Sequence, residues 1–129
     1  MKPKISVVSL SVADLGRALA FYRDGLGFPT HNYADGDDFI FLKLEGAWLS
    51  LMTRDATKTP LPPGASTIEI SHNAASKAEV DAAYRLALEA GARSVQAPQD
   101  AAWGGYEASF ADPDGHVWGL AWNPFTDLA

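Results

Sequence analysis

Val12-Ala13-Asp14-Leu15-Gly16-Arg17-Ala18-Leu19-Ala20-Phe21-Tyr22-Arg23-Asp24-Gly25-Leu26-Gly27-Phe28 is the stretch on which the reading of this chain turns. Asp14 carries the short acceptor side chain that satisfies free amides at a helix start. Behind it, Leu15, Leu19, Tyr22 and Leu26 recur at helical spacing, so one side of the helix is apolar. Gly25 and Gly27 end it, because glycine reaches the backbone conformations that close a helix. The β-rich run Ile5 to Val12 leads directly into the cap, so a strand precedes the helix. After the helix, Asp35-Gly36-Asp37 punctuates the chain, and the run Phe39 to Leu44 follows. Glu45-Gly46 makes a tight hairpin turn, and Ala47 to Met52 returns.

The same order of signals then repeats. Ser66 to Ser71 reads as a strand with Ile68 and Ile70 on one face. Ser76 and Glu79 have the spacing at which each side chain satisfies the other's amide, and Val80, Ala83 and Ala87 line the helix that starts there. Gly91 stops it. Ser94 to Ala97 is a weak strand, Tyr106 to Ala111 a better one, Asp112-Pro113-Asp114-Gly115 a turn, and Val117 to Trp122 the last strand, closed off by Pro124. The polar, proline-bearing stretch from Arg54 to Gly64 separates the halves. The expected organisation is one domain over residues 1–129: module one at about 4–53, a linker at 54–65, and module two at about 66–124. Neither half is large enough to bury its own sheet unaided, so the halves pair or the chain dimerises.

Composition narrows the function classes. The 129 residues include 16 acidic and 10 basic side chains, a formal charge of −6 that repels phosphate backbones and anionic lipid heads. Nucleic acid and membrane partners are therefore not expected. With no cysteine in the chain, disulfides, thiolate metal sites and a cysteine nucleophile are excluded. The start Met1-Lys2-Pro3-Lys4 does not lead into a signal-type apolar core, and no run approaches the ~18 apolar residues of a membrane span, so the expected location is the cytoplasm. There is no glycine-rich phosphate loop and no G-x-S-x-G elbow.

The runs Val12-Ala13-Asp14-Leu15, Phe21-Tyr22-Arg23-Asp24-Gly25-Leu26-Gly27-Phe28 and Phe110-Ala111-Asp112-Pro113-Asp114-Gly115-His116 resemble those of the vicinal oxygen chelate superfamily, which includes glyoxalase I, extradiol dioxygenases and bleomycin-resistance proteins. The resemblance spans about residues 5 to 124. Trp103-Gly104-Gly105-Tyr106 and Trp118-Gly119-Leu120-Ala121-Trp122-Asn123-Pro124 further resemble a glyoxalase-like subgroup. The resemblance implies an α+β fold of two βαβββ modules forming a curved mixed sheet around a cleft, and commonly a homodimer. Metal-using members take one ligand from the first strand and one from the last strand of each half, typically His or Gln and then Glu. Those positions fall here at Val7, Ser50, Thr67 and Gly119, and none carries a good ligand. No metal and no other cofactor is expected.

If Val7, Thr67 and Gly119 face the cleft, alternation puts Ile5, Ser9, Glu69, Ser71, Val117 and Ala121 on the same surface, with Phe39, Phe41, Trp48, Ser50 and Met52 completing an aromatic and apolar wall. Val8, Leu10, Ile68, Ile70, Leu49 and Leu51 then point at the helices. The same aromatics would serve equally as core or dimer packing. Glu69 is the candidate general base, since a carboxylate in an apolar concavity has a raised pKa; the alternative is a solvated or ion-paired acid. His31, His72 and His116 read as separate loop or turn residues rather than one metal set, although His72, beside Asn73 at a strand end, reaches a ligand at the cleft mouth. Trp103 and Tyr106 flank a glycine pair that suits either a pocket lip or a packing turn.

Three functions fit, in this order: a metal-free binding protein for an aromatic or apolar small molecule; a lyase, isomerase or dioxygenase using a displaced metal site or Glu69; and a ligand-free dimeric interaction module.

Overall fold

The computed structural model describes residue 3 and residues 5–53 and 69–129. The linker expected at 54–65, Thr67 and Ile68 lie outside the described residues. The chain divides into two compact units, Met1–Leu61 and Pro62–Ala129.

In the first unit, β1 (Val7–Val12) enters α1 (Leu15–Leu19), which is capped by the Asp14 carboxylate accepting from the Arg17 amide at 2.7 Å. The helix then widens into a π-helical turn, Ala20–Gly25, with the Leu26 amide bonded to the Phe21 carbonyl at 2.9 Å. This widening turns both Phe21 and Tyr22 into the core, where their rings meet edge to face at 4.9 Å. Three further strands follow: β2 (Thr30–His31), β3 (Phe39–Leu42) and β4 (Trp48–Thr53). The sheet order is β1-β4-β3-β2, with β1 parallel to β4 and the remaining pairs antiparallel. Alternation partitions the sheet as expected. Leu10, Val12, Ile40, Leu42, Leu49 and Leu51 are buried, whereas Val7, Ser9, Phe39, Phe41 and Trp48 stand on the opposite face.

The second unit repeats the plan. β5 (Glu69–Asn73) leads to α2 (Lys77–Glu89), whose start has the reciprocal cap: Ser76 Oγ accepts from the Glu79 amide at 3.2 Å, and Glu79 Oε2 accepts from the Ala75 amide at 2.8 Å. Then come β6 (Arg93–Asp100), β7 (Tyr106–Ala111) and β8 (Val117–Trp122), in the order β5-β8-β7-β6 with β5 parallel to β8. Val80 and Ala87 of α2 are buried, as are Ala108, Phe110, Trp118 and Leu120 of the sheet. Phe110 and Trp118 are cross-strand partners with rings stacked 6.1 Å apart. The Asp112–Gly115 turn is structural: the buried Asp112 carboxylate accepts from the amides of Asp114 and His116 at 2.9 and 2.8 Å.

Several boundaries differ from the sequence reading. Thr30–His31 is a strand not anticipated there, and His31 and His72 are strand residues rather than loop residues. β6 runs to Asp100 instead of ending at Ala97, because register shifts on either side of Gln96 accommodate Pro98, which cannot donate to a regular ladder. Tyr106 leaves the open face altogether: its hydroxyl donates to Asp81 on α2 at 2.8 Å, and Lys77 lies 5.3 Å above its ring. His72 pairs with buried Leu120 and so lies on the opposite side from Ser71.

Two stability predictions follow from this partition. Leu51→Ala, at a fully buried position, should cost about 2–5 kcal/mol in urea unfolding, whereas Val7→Ala on the open face should cost about 1 kcal/mol or less. The Tyr106 hydroxyl is held above the ordinary tyrosine range, first by its hydrogen bond to Asp81, then by burial and the nearby carboxylates. A raised folded-state pKa contributes stability that is present below the unfolded value of about 10 and is lost as pH rises through the folded value. Wild type should therefore lose more stability than Tyr106→Phe between about pH 9 and about pH 11; parallel losses would refute the assignment.

Candidate functional site

Each unit leaves one sheet face uncovered by its own helix, and the two faces differ in chemistry. In the first unit the parallel register sets Val7 beside Trp48 and Ser9 beside Ser50, while the antiparallel register sets Phe41 against Ser50 and His31 against Phe41. The result is a continuous aromatic surface. Phe39 and Phe41 meet edge to face at 5.5 Å, Phe41 and Trp48 at 6.2 Å, and His31 lies 4.8 Å from Trp48. At the centre, Ser50 Oγ donates to Ser9 Oγ at 2.7 Å, and Ser50 is only 3% exposed. Toward the β2 edge, Tyr33 and Asp37 join His31, Phe39, Phe41 and Trp48 around a concavity of about 340 Å³. The Tyr33 hydroxyl donates to Asp35 at 2.9 Å, which holds its pKa above the ordinary range.

In the second unit the open face is smaller and more polar. Ser71, Gly119 and Ser109 form one cross-strand row, continued by Gln96, and Asn73, Ala121 and Glu107 form the next. A concavity of about 310 Å³ lies over Ser71, Gln96, Glu107, Ser109, Gly119 and Ala121. The Glu107 carboxylate accepts from Trp103 Nε1 at 3.2 Å and from Gln96 Nε2 at 3.4 Å. Trp103 lies over Gly105, where an added Cβ would fall 1.9 Å from the indole ring. The Trp103-Gly104-Gly105-Tyr106 segment therefore works both ways: Trp103 borders the open face through Glu107, whereas Tyr106 packs toward α2.

Of the residues singled out from sequence, Val7, Ser9, Phe39, Phe41, Trp48 and Ser50 come together on the first face, and Ser71, Gly119 and Ala121 on the second, with Trp103 beside Glu107. Tyr106 and His72 do not join them. Glu69 begins β5 opposite Val117, and its side chain, like all of Thr67, lies outside the described residues. His31 and Glu107 were missed. For His31 the strand is too short to show a period, whereas Glu107 was legible in the alternation Glu107, Ser109 against Ala108, Phe110.

The three described residues at the expected chelating positions, Val7, Ser50 and Gly119, do not fit a divalent ion. Val7 and Gly119 offer no donor atom, and the neutral Ser50 hydroxyl is already paired with Ser9. Among the described residues, no group of three or more His, Cys, Asp or Glu side chains is placed to hold an ion. Also among them, no helix is long and apolar enough to cross a membrane.

Comparison with known proteins agrees with this architecture. No curated protein matches the chain. Solved structures do. A glyoxalase-related enzyme from Fulvimarina pelagi superposes with a TM-score of 0.83 at 24% identity, over 95% of this chain and 89% of that one. A glyoxalase/bleomycin resistance protein/dioxygenase family enzyme from Burkholderia phytofirmans PsJN gives 0.78 at 20% identity, over 92% and 98%. Lactoylglutathione lyase from Agrobacterium tumefaciens gives 0.74 at 22%, over the whole of both chains. These likenesses establish the fold. The family model for the Glyoxalase/Bleomycin resistance protein/Dioxygenase superfamily matches residues 4–120. With the βαβββ order present in both units, this chain belongs to that superfamily.

Proposed function

We propose that this protein binds a flat, largely apolar small molecule on the aromatic face of its first unit, without a resident metal ion. The observation that carries the reading is the contiguous set of His31, Phe39, Phe41 and Trp48 rings beside positions where chelating relatives would place metal ligands. Aromatic side chains facing outward cost free energy in water unless something covers them, and Phe39 is 47% exposed. A planar ligand would stack against these rings and recover that cost. The adjoining concavity of about 340 Å³ is within the range of small-molecule pockets. The Ser9–Ser50 pair supplies hydroxyls that orient a ligand without attracting an ion.

A homodimer in the cytoplasm is the proposed setting. Ile5, Val7 and Phe39 are 69%, 40% and 47% exposed, and such apolar surface favours association with a second copy.

A panel of planar aromatic compounds, read by thermal denaturation, tests the proposal. A true ligand at a hundred times its dissociation constant stabilises by about 2.7 kcal/mol, a rise on the order of 10 °C for a chain of this size. Trp48→Ala should abolish that rise while leaving the unliganded protein folded. A broad panel that never raises the melting temperature, or a rise that persists in Trp48→Ala, would contradict the reading.

A further inference from the structure

The second unit holds a carboxylate that neither the fold nor the aromatic face uses. Glu107 stands on the open face of its sheet, beside the concavity of about 310 Å³ floored by Gly119 and Ala121. Its two oxygens each accept one hydrogen bond, Oε1 from Gln96 and Oε2 from Trp103. Both of these partners are neutral, so they orient the negative charge without compensating it. A carboxylate has about four lone-pair sites, and these two contacts occupy one on each oxygen. The remaining sites leave acceptor capacity for a planar group that donates two N–H bonds.

The surroundings are built for this orientation. β6 shifts register between Gln96 and Gln99, where Ala97 and Pro98 stand against the single Ala108 between Ser109 and Glu107 on β7, and this shift accompanies the arrival of Gln96 at the carboxylate. On the other side, the lack of a side chain at Gly105 lets the Trp103 indole settle over the backbone and aim its N–H at Glu107. Ser71, Ser109 and Gly119 keep the neighbouring row small, so the approach to the carboxylate is open.

We propose that Glu107 anchors a binding subsite in the second unit for a planar cationic group of the amidinium or guanidinium class, with Trp103 and Gln96 as its positioning residues. The inference goes beyond the aromatic-face reading and stands on separate residues.

Benzamidine is the probe, with neutral benzamide and anionic benzoate as controls, titrated into the full chain while the tryptophan indole N–H signals are followed by NMR. The Trp103 signal is the one missing in Trp103→Phe. Benzamidine should move it, and the two controls should not. Glu107→Gln, which keeps shape and loses charge, should weaken benzamidine binding about tenfold or more, with the buried Trp118 signal unchanged. Gly105→Ala should also weaken binding by displacing the indole, although it leaves Glu107 in place. An unmoved Trp103 signal, an equal response to benzamide, or undiminished binding in Glu107→Gln would overturn the proposal. A response confined to Trp48 would overturn it as well, while supporting a ligand on the aromatic face.

Discussion

The parallel pairing of the first strand with the last strand in each unit is the constraint from which the rest follows. It sets Ser9 beside Ser50 in one sheet and Ser71 beside Gly119 in the other. Because side chains alternate along a strand, this register decides at once which residues enter the core and which face outward. A slip of one position in the first sheet would turn Leu10 and Leu51 outward and drive Ser9 and Ser50 inward. Leu51, Leu42 and Val12 are fully buried, and exposing such side chains costs about 1.5–3 kcal/mol each, against a total stability of about 5–15 kcal/mol. The apolar face thus locks the chemistry of the other face.

That locked arrangement gives two unlike surfaces on one scaffold. The first presents linked aromatic rings around a hydrogen-bonded pair of hydroxyls, and the second a strip of small side chains ending at an oriented carboxylate. Among the described residues, Val7 and Gly119 contribute no side-chain donor and Ser50 only a neutral one at the positions where a chelating relative places its ligands. The superfamily frame is retained, and the side chains at Val7, Ser50 and Gly119 include no carboxylate or imidazole. On the proposed reading, stacking, shape and a single placed charge are the means of recognition.

Much of this was legible in the sequence where periodicity is long and unbroken. β7 and β8 begin and end where their alternation says they should, at Tyr106–Ala111 and Val117–Trp122, and both helix caps were readable from Asp14 and from Ser76 with Glu79. The illegible parts have physical causes. Two residues, Thr30 and His31, carry no period, so the fourth strand of the first sheet and the ring tilted against Trp48 were hidden. Pro98 and the register shift around it masked the second half of β6, and with it the reach of Gln96 to Glu107. Tyr106 followed its hydrogen bond to Asp81 rather than its glycine neighbours. Attention to Glu69 as the isolated acid overlooked Glu107, which shares a row with Ala121 and is anchored by a residue already singled out, Trp103.

The central claim is that the described residues of the outward faces offer no chelating set, and metal analysis of untagged protein, incubated with zinc, nickel and iron and then freed of loosely bound ions, tests it most directly. The account predicts far less than one equivalent of any of the three per chain. One equivalent retained, and released only on unfolding, would contradict it.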